Sequence, residues 1–300
     1  MQIIPAATVP VDGICTPIQN SLVYIPTEDG GSYTISFCLG NNTGTLAPGP
    51  KCLTPGGIID RDCFVCGDQI SAETIAGHTC NTGAPDYDKC TYNTVLIGDQ
   101  CWMKENLNVG TMVLGSVNQG NYSAGIQKYC YNNNLLIADN VTPHNYCATD
   151  GGLYQLHMAM AKNQSCDAVD CTASPSDVCC SMTDRGICPI GWHLPSDVEQ
   201  NTLENYLKDS GQTCDANRQA GYDCATAGTK MKNAAGFSCL LVGRRNSNNT
   251  FTGWGTYGRF WSVSTIGLDA WYRLVYSGNT TVGRYHLPRT YGLPVRCIKD

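Results

Sequence analysis

Long apolar runs are missing from this chain: no stretch approaches the ~20 apolar residues that a membrane-crossing helix requires. No transmembrane segment is therefore expected. Charge is also scarce, at 15% of the 300 residues, and the net charge of -6 comes with no run of Lys or Arg. Nucleic-acid binding needs a basic face that releases phosphate counterions, so no such partner is expected. The opening residues, MQIIPAATVP, carry neither a basic n-region nor the apolar h-region of a signal peptide.

Reaction motifs are thin as well. The five histidines, His78, His144, His157, His193 and His286, form no H-E-x-x-H, and no G-x-S-x-G elbow occurs. Cys63 and Cys66 make a lone C-x-x-C without the second ligand pair that a zinc site needs. The stretch GWGTYG fits G-x-G-x-x-G through Gly253, Gly255 and Gly258, but β-prone residues follow where a phosphate cradle needs a helix N-terminus, so it reads as a loop. Two carboxylate pairs, Asp86 with Asp88 and Asp197 with Glu199, read as solvated surface, Glu199 being also a helix-capping residue. No catalytic residue, metal or cofactor is expected.

What the chain has in quantity is cysteine, 19 residues of it. That density indicates a disulfide framework built in an oxidising space, and hence export. With no leader visible, the sequence is expected to be a mature or trimmed form that lacks an upstream leader or anchoring helix. An odd count leaves at least one thiol over, and Cys239 in the apolar GFSCLLVG is the candidate for a buried free one. Sequons at Asn41, Asn121, Asn140, Asn163, Asn248 and Asn279 are expected on exposed loops.

Two regions differ in texture. Residues 1–62 are rich in Pro, Gly and Thr, and the runs SLVYIP and YTISFCLG around EDGG predict a small β unit stapled among Cys15, Cys38, Cys52 and Cys63, with three pairings open. In residues 63–300, TYNTVLIGDQCWMKENLN predicts a hairpin turning at Gly98-Asp99. Leu153, Leu156, His157 and Met160 recur at helical spacing and predict a first helix, with His157 packed in the core. A second helix begins at the capping box of Ser196 and Glu199, buries Val198, Leu203, Tyr206 and Leu207, and ends at Gly211. Beyond residue 236 only strand-like runs occur, including FSCLLVG, RFWSVST, AWYRLVYS and TTVGRYH. A hairpin, two helices and then many short, mainly antiparallel strands make an α+β fold. Two cysteine-rich stretches, NQSCDAVDCTASPSDVCC and GQTCDANRQAGYDC, read as pinned surface insertions.

The aromatic residues are the remaining resource for recognition. Trp102, Trp192 and Trp261 lie in apolar runs and are assigned to the core, whereas Trp254, Tyr257 and Tyr285 sit among glycines and polar residues and are the ligand-binding candidates.

Several long segments, in order, resemble a known family: TVLIGDQCWMKENLN, KYCYNNN, CATDGGLYQLHMAM, GICPIGWHLPSDVE, GTKMK, GFSCLLVGRRN, FWSVST and YGLPVRCIKD. Over residues 64–300 the chain is similar to the Fibrobacter succinogenes major paralogous domain. The resemblance implies an extracellular bacterial domain with a fold related to C-type lectins and formylglycine-generating enzymes, often C-terminal to a pilin-like segment, to which residues 1–62 bear a weak likeness. It also implies disulfides Cys188–Cys297, Cys130–Cys147 and Cys214–Cys224. Departures occur at Gln200, where the family usually has Trp, and at Leu156, where it has an aromatic. The E-P-N, Q-P-D and W-N-D calcium motifs of sugar-binding lectins are absent. The expected function is a non-enzymatic surface or pilus module, either an adhesin-like binder of a glycan or protein surface or a filament subunit packed against identical subunits. A formylglycine-generating-like oxidoreductase is the alternative.

Overall fold

The computed structural model describes residues 15, 23–26, 33–59, 63–72, 79–83, 87–134, 146–181 and 185–300. His78, Asp86, Asn140 and His144 lie outside them. The chain divides into a unit ending at Asp68 and a second covering Gln69–Lys299.

In the first unit, β1 (Val23–Pro26), β2 (Tyr33–Leu39), β3 (Gly49–Thr54) and β4 (Gly57–Ile59) form one antiparallel sheet in chain order. Disulfides Cys15–Cys38 and Cys52–Cys63 resolve the three possible pairings. Cys63 is thereby consumed, and with it the C-x-x-C as a metal-binding pair.

The second unit is α+β, with short and mainly antiparallel strands. Its chain order is β5 (Ile70–Ser71), β6 (Thr91–Tyr92), β7 (Thr94–Ile97), β8 (Gln100–Met103), β9 (Thr111–Met112), β10 (Gln127–Lys128), α1 (Tyr146–Asp150), α2 (Leu156–Ala159), β11 (Trp192–His193), α3 (Asp197–Leu207), β12 (Gly221–Asp223), α4 (Ala227–Met231), β13 (Val242–Arg245), β14 (Phe251–Trp254), β15 (Tyr257–Ile266), β16 (Asp269–Tyr276), β17 (Val282–Pro288) and β18 (Ile298–Lys299). Two four-stranded sheets organise it, ordered β11-β18-β8-β7 and β12-β17-β16-β15. The expected hairpin at Gly98-Asp99 is β7–β8. A core of Trp102, Leu203, Met231, Phe237, Phe260, Val275, Val282 and Ile298 joins both sheets to α3 and α4.

Three expectations about local structure need correction. The first helix is one turn, α2, because Leu153 and Tyr154 are extended and bridge to Tyr129 and Leu293 instead. Gly151 at φ 89° fixes that exit, since its backbone lies against Asn106 where a Cβ would collide. His157 is buried as expected, its Nδ1 2.8 Å from Asp167 and its Nε2 3.0 Å from the Gly120 carbonyl. FSCLLVG becomes a strand only at Val242, after Ser238 has turned through φ 54°.

The third correction concerns α3. Its capping box forms as the sequence predicts, but Val198 and Tyr206 face outward, while Gln200, Asn201 and Glu204 are buried beside Leu203. The inner stripe of this helix is polar because the sheet beneath it supplies arginines. Glu204 accepts from Arg273 Nε and from Arg218 Nη2 (2.9 Å), and Asp197 takes Arg273 Nη1 (2.5 Å) and Arg284 Nη2 (2.9 Å). Asp197 is thus an interior bridge, not solvated surface. Asp88 is likewise buried, 2.7 Å from Lys128 Nζ.

Desolvation pushes the Asp197 carboxyl up, but the hydrogen bonds and charges of Arg284 and Arg273 outweigh it and hold the group below its ordinary 3.8. A carboxylate depressed in the folded state contributes stability that is present above the unfolded value and fades as pH drops through the folded one. The stability gap between wild type and Asp197→Asn is therefore expected to be widest near about pH 6 and to shrink below about pH 4. Urea titrations from pH 6 down to about pH 2 check this, and an undiminished gap at the acid end contradicts it.

Disulfides and arginines replace long secondary structure elsewhere. Among the 19 cysteines, 18 are disulfide-bonded and Cys239 is free and buried, with desolvation raising its thiol to about 12. The two insertions are pinned by Cys166–Cys179 with Cys171–Cys180, and by Cys214–Cys224. Arg245 and Arg289, both buried, donate to loop carbonyls of Gly115 and Thr290, and of Cys166, Val169 and Gly267. Such guanidiniums satisfy the irregular backbone that a buried loop would otherwise leave unpaired. The sequon residues Asn41, Asn121, Asn163 and Asn248 are exposed, and Asn279 is half-buried.

Candidate functional site

The β12-β17-β16-β15 sheet has two unlike faces. In an antiparallel ladder, directly opposed residues share a face and alternate residues along a strand return to it. Val275, Val282, Phe260, Arg273 and Arg284 fall on the face toward α3 and α4. The opposite face takes Tyr257, Arg259 and Trp261 from β15, Tyr272, Leu274 and Tyr276 from β16, Gly283 and Tyr285 from β17, and Tyr222 from β12, as the register pairs Tyr257 with Tyr276, Tyr272 with Trp261 and with Tyr285, and Tyr222 with Gly283.

That second face changes character along its length. Trp261 is fully buried, its indole N–H donating to the Tyr154 carbonyl at 2.8 Å. Away from it the tyrosines open up: Tyr222 is 40% exposed, and Tyr257, Tyr276 and Tyr285 are half-buried. Their rings pack in two groups, Tyr257 stacked on Tyr276 at 5.1 Å, and Tyr285 edge-on to Tyr222 at 5.9 Å and tilted against Tyr272 at 6.2 Å. Desolvation and the neighbouring phenols raise the Tyr222 hydroxyl, so it stays a neutral donor and acceptor. A glycine, Gly283, sits between Tyr222 and Leu274; a Cβ there would meet the Tyr285 ring.

Of the three sequence candidates, Tyr257 and Tyr285 therefore share one face. Trp254 belongs to another group. It is 40% exposed, edge-on to Tyr146 at 5.7 Å, and its indole N–H donates to Asp150 at 2.7 Å. Tyr131 links Tyr146 to Phe251 in the same cluster, beside the Cys130–Cys147 disulfide. The structure adds Tyr222 and Tyr276, which sequence reasoning passed over because their shared face depends on strand order and register. Trp102 and Trp192 are buried along with Trp261. Of the GWGTYG glycines, Gly253 lies in β14, Gly255 in the β14–β15 turn and Gly258 in β15.

Among the described residues, Glu204, Cys214 and Cys224 are the cluster with metal-ligand spacing. The two sulfurs are bonded to each other and the carboxylate is held by Arg218 and Arg273, so these donors are already committed. Cys188 bonds Cys297 and fastens the entrance of α3 to the last strand. The opening of that helix, GICPIGWHLPSDVE, is thus architecture: Trp192 and His193 pair with Lys299 and Ile298, and His193 Nε2 lies 2.8 Å from Glu199.

No curated protein and no solved structure matches the chain. A family model does, from Val95 through Lys299, which begins later than the segment 64–300 read from the motifs. On that match, covering the two sheets, α3 and α4, the chain belongs to the Fibrobacter succinogenes major domain family.

Proposed function

We propose that this chain is a non-enzymatic, extracellular recognition module of a bacterial surface or pilus, adhesin-like in action, which docks a glycan on the tyrosine face. The observation that carries the reading is the gathering of Tyr222, Tyr257, Tyr276 and Tyr285 on the open end of one sheet face. Phenol rings give a sugar ring apolar area while their hydroxyls meet its own, and little side-chain entropy is lost because each ring is already braced by another. The disulfide count supports an oxidising location. No described helix is long and apolar enough to cross a membrane. A lectin-like arrangement, with the helix entrance tied to the final strand, is the fold we infer. The oxidase alternative calls for two reactive thiols in a cleft, whereas the one free thiol, Cys239, is buried and raised to about 12.

The test is a glycan array probed with wild type, with the double variant Tyr257→Ala and Tyr285→Ala, and with Trp254→Ala. The double variant is expected to lose about tenfold or more in apparent affinity for the glycans that wild type retains, as stacked aromatic contacts do on truncation. Trp254→Ala should bind as wild type does. Unchanged binding by a double variant with native circular dichroism overturns the tyrosine-face reading.

A further inference from the structure

We propose that the tyrosine face carries a built-in anion subsite at Arg244 and Arg259, which selects acidic sugars. This deepens the glycan-docking reading above and rests on it.

Seven arginines are buried in the described residues: Arg218, Arg245, Arg259, Arg273, Arg284, Arg289 and Arg296. Six have acceptors for their charge. Arg218, Arg273 and Arg284 meet the carboxylates of Glu204 and Asp197. Arg245, Arg289 and Arg296 donate to backbone carbonyls. Arg259 is the exception. It is 6% exposed, its Nε and Nη1 have no hydrogen-bond partner, and its charge rests on the Tyr257 ring at 4.6 Å and the Tyr272 hydroxyl.

A second cation stands beside it. Arg244 is half-buried on β13, opposite Thr252 of the β14 strand that turns into β15. Its guanidinium lies 4.9 Å from the centre of the Tyr291 ring, and its Nε donates to Asn246 at 2.8 Å. No carboxylate of the described residues lies within ion-pair reach of either arginine. Burial, and after it the charge of Arg244, lower the Arg259 guanidinium to about 10. Two positive charges thus repel each other in a partly dry site with nothing to neutralise them.

Such an arrangement is unfavourable for an empty surface and favourable for one that receives an anion. Arg244, the more exposed of the two, is the contacting donor, and its planar fork suits a carboxylate or sulfate. Arg259 behind it adds charge and brings no competing acceptor. The adjacent Tyr257 and the tyrosines beyond it receive the sugar ring, which ties the anion to a carbohydrate and not to an acidic peptide. The whole chain carries -6, so long-range repulsion opposes acidic polymers and any preference for them must be local.

The test measures binding of the full chain to polygalacturonate, dextran sulfate, neutral dextran and poly-glutamate across a salt series. At least one acidic polysaccharide is expected to bind about tenfold more tightly than neutral dextran, with the advantage shrinking as salt rises. Arg244→Gln should erase that advantage, and Arg244→Lys should keep part of it, which shows that the site remains folded. Equal binding of neutral and acidic polysaccharides, or an acid preference that survives Arg244→Gln, overturns the anion subsite. Poly-glutamate binding as tightly as the acidic sugars overturns the carbohydrate assignment. Loss of all sugar binding in the Tyr257→Ala and Tyr285→Ala variant, with Arg244→Gln silent, leaves the tyrosine platform standing while the subsite falls; absence of binding to every polymer rejects both.

Discussion

Replacing Glu204 with alanine is expected to destabilise the second unit by about 3–5 kcal/mol, the usual cost of breaking a buried ion pair from one side. Its side chain is 0% exposed and accepts from Arg273 Nε and Arg218 Nη2. Both arginine side chains are under 10% exposed, at 1% and 8%, so neither can recover water when the carboxylate goes. Arg273 would keep Asp197, but Arg218 would retain only backbone carbonyls, those of Asp215 and Val282. The effect should exceed that of Glu204→Gln, which keeps an acceptor in place. Urea unfolding followed by tryptophan fluorescence measures both. A loss below about 1 kcal/mol for the alanine variant would mean that water reaches the arginines, and would remove the network from the account of the core.

The same network shows which parts of this fold the sequence made legible. The capping box at Ser196 and Glu199 is local, set by residues three apart, and it forms as read. The β7–β8 hairpin is local too, since its turn residues stand between its own strands. Apolar periodicity misreads α3 because its buried stripe carries Gln200, Asn201 and Glu204 beside Leu203, and the arginine partners of Glu204 and Asp197 lie up to 87 residues away. The pairs with Arg273 and Arg284 span 69 to 87 residues, beyond any local window of sequence. The first helix fails for a related reason: Leu153 and Tyr154 prefer a long-range β-bridge to the helix that their spacing permits.

The candidate site divides in the same way. Tyr257 and Tyr285 stand out among glycines and polar neighbours, and composition alone singles them out. Their joint presence on one face follows from the order β12-β17-β16-β15, which also adds Tyr222 and Tyr276. Trp254, although as exposed as Tyr222, is held elsewhere by Asp150 and Tyr146. The uncompensated charge at Arg244 and Arg259 leaves no trace in sequence, where both look like ordinary strand arginines. Only the missing carboxylate distinguishes them.

Removing the Cys188–Cys297 bridge, by Cys188→Ala together with Cys297→Ala, is expected to cost more than removing any other described disulfide. Its sequence separation is 109, against 23 or fewer for the other bridges named above. In the chain-entropy model, closing a loop of that size restricts the unfolded chain by about 4.7 kcal/mol, compared with ~3 kcal/mol for a loop near that of Cys130–Cys147. The native state has its own reason to need the bridge. β11 and β18 are two residues each, paired through Trp192 with Lys299 and His193 with Ile298, and β18 reaches β8 through one pair, Ile298 with Trp102. So short a ladder does not hold register by itself, whereas a covalent tie next to both strands does. The Cys188/Cys297 variant should therefore lose amide hydrogen-exchange protection at Trp192 and His193 first, while the Cys130→Ala and Cys147→Ala variant keeps it. If urea midpoints show the 17-residue bridge to matter as much as the 109-residue one, loop closure is not what this bond contributes, and the packing of Trp102 and Trp192 alone must fasten the last strand to the entrance of α3.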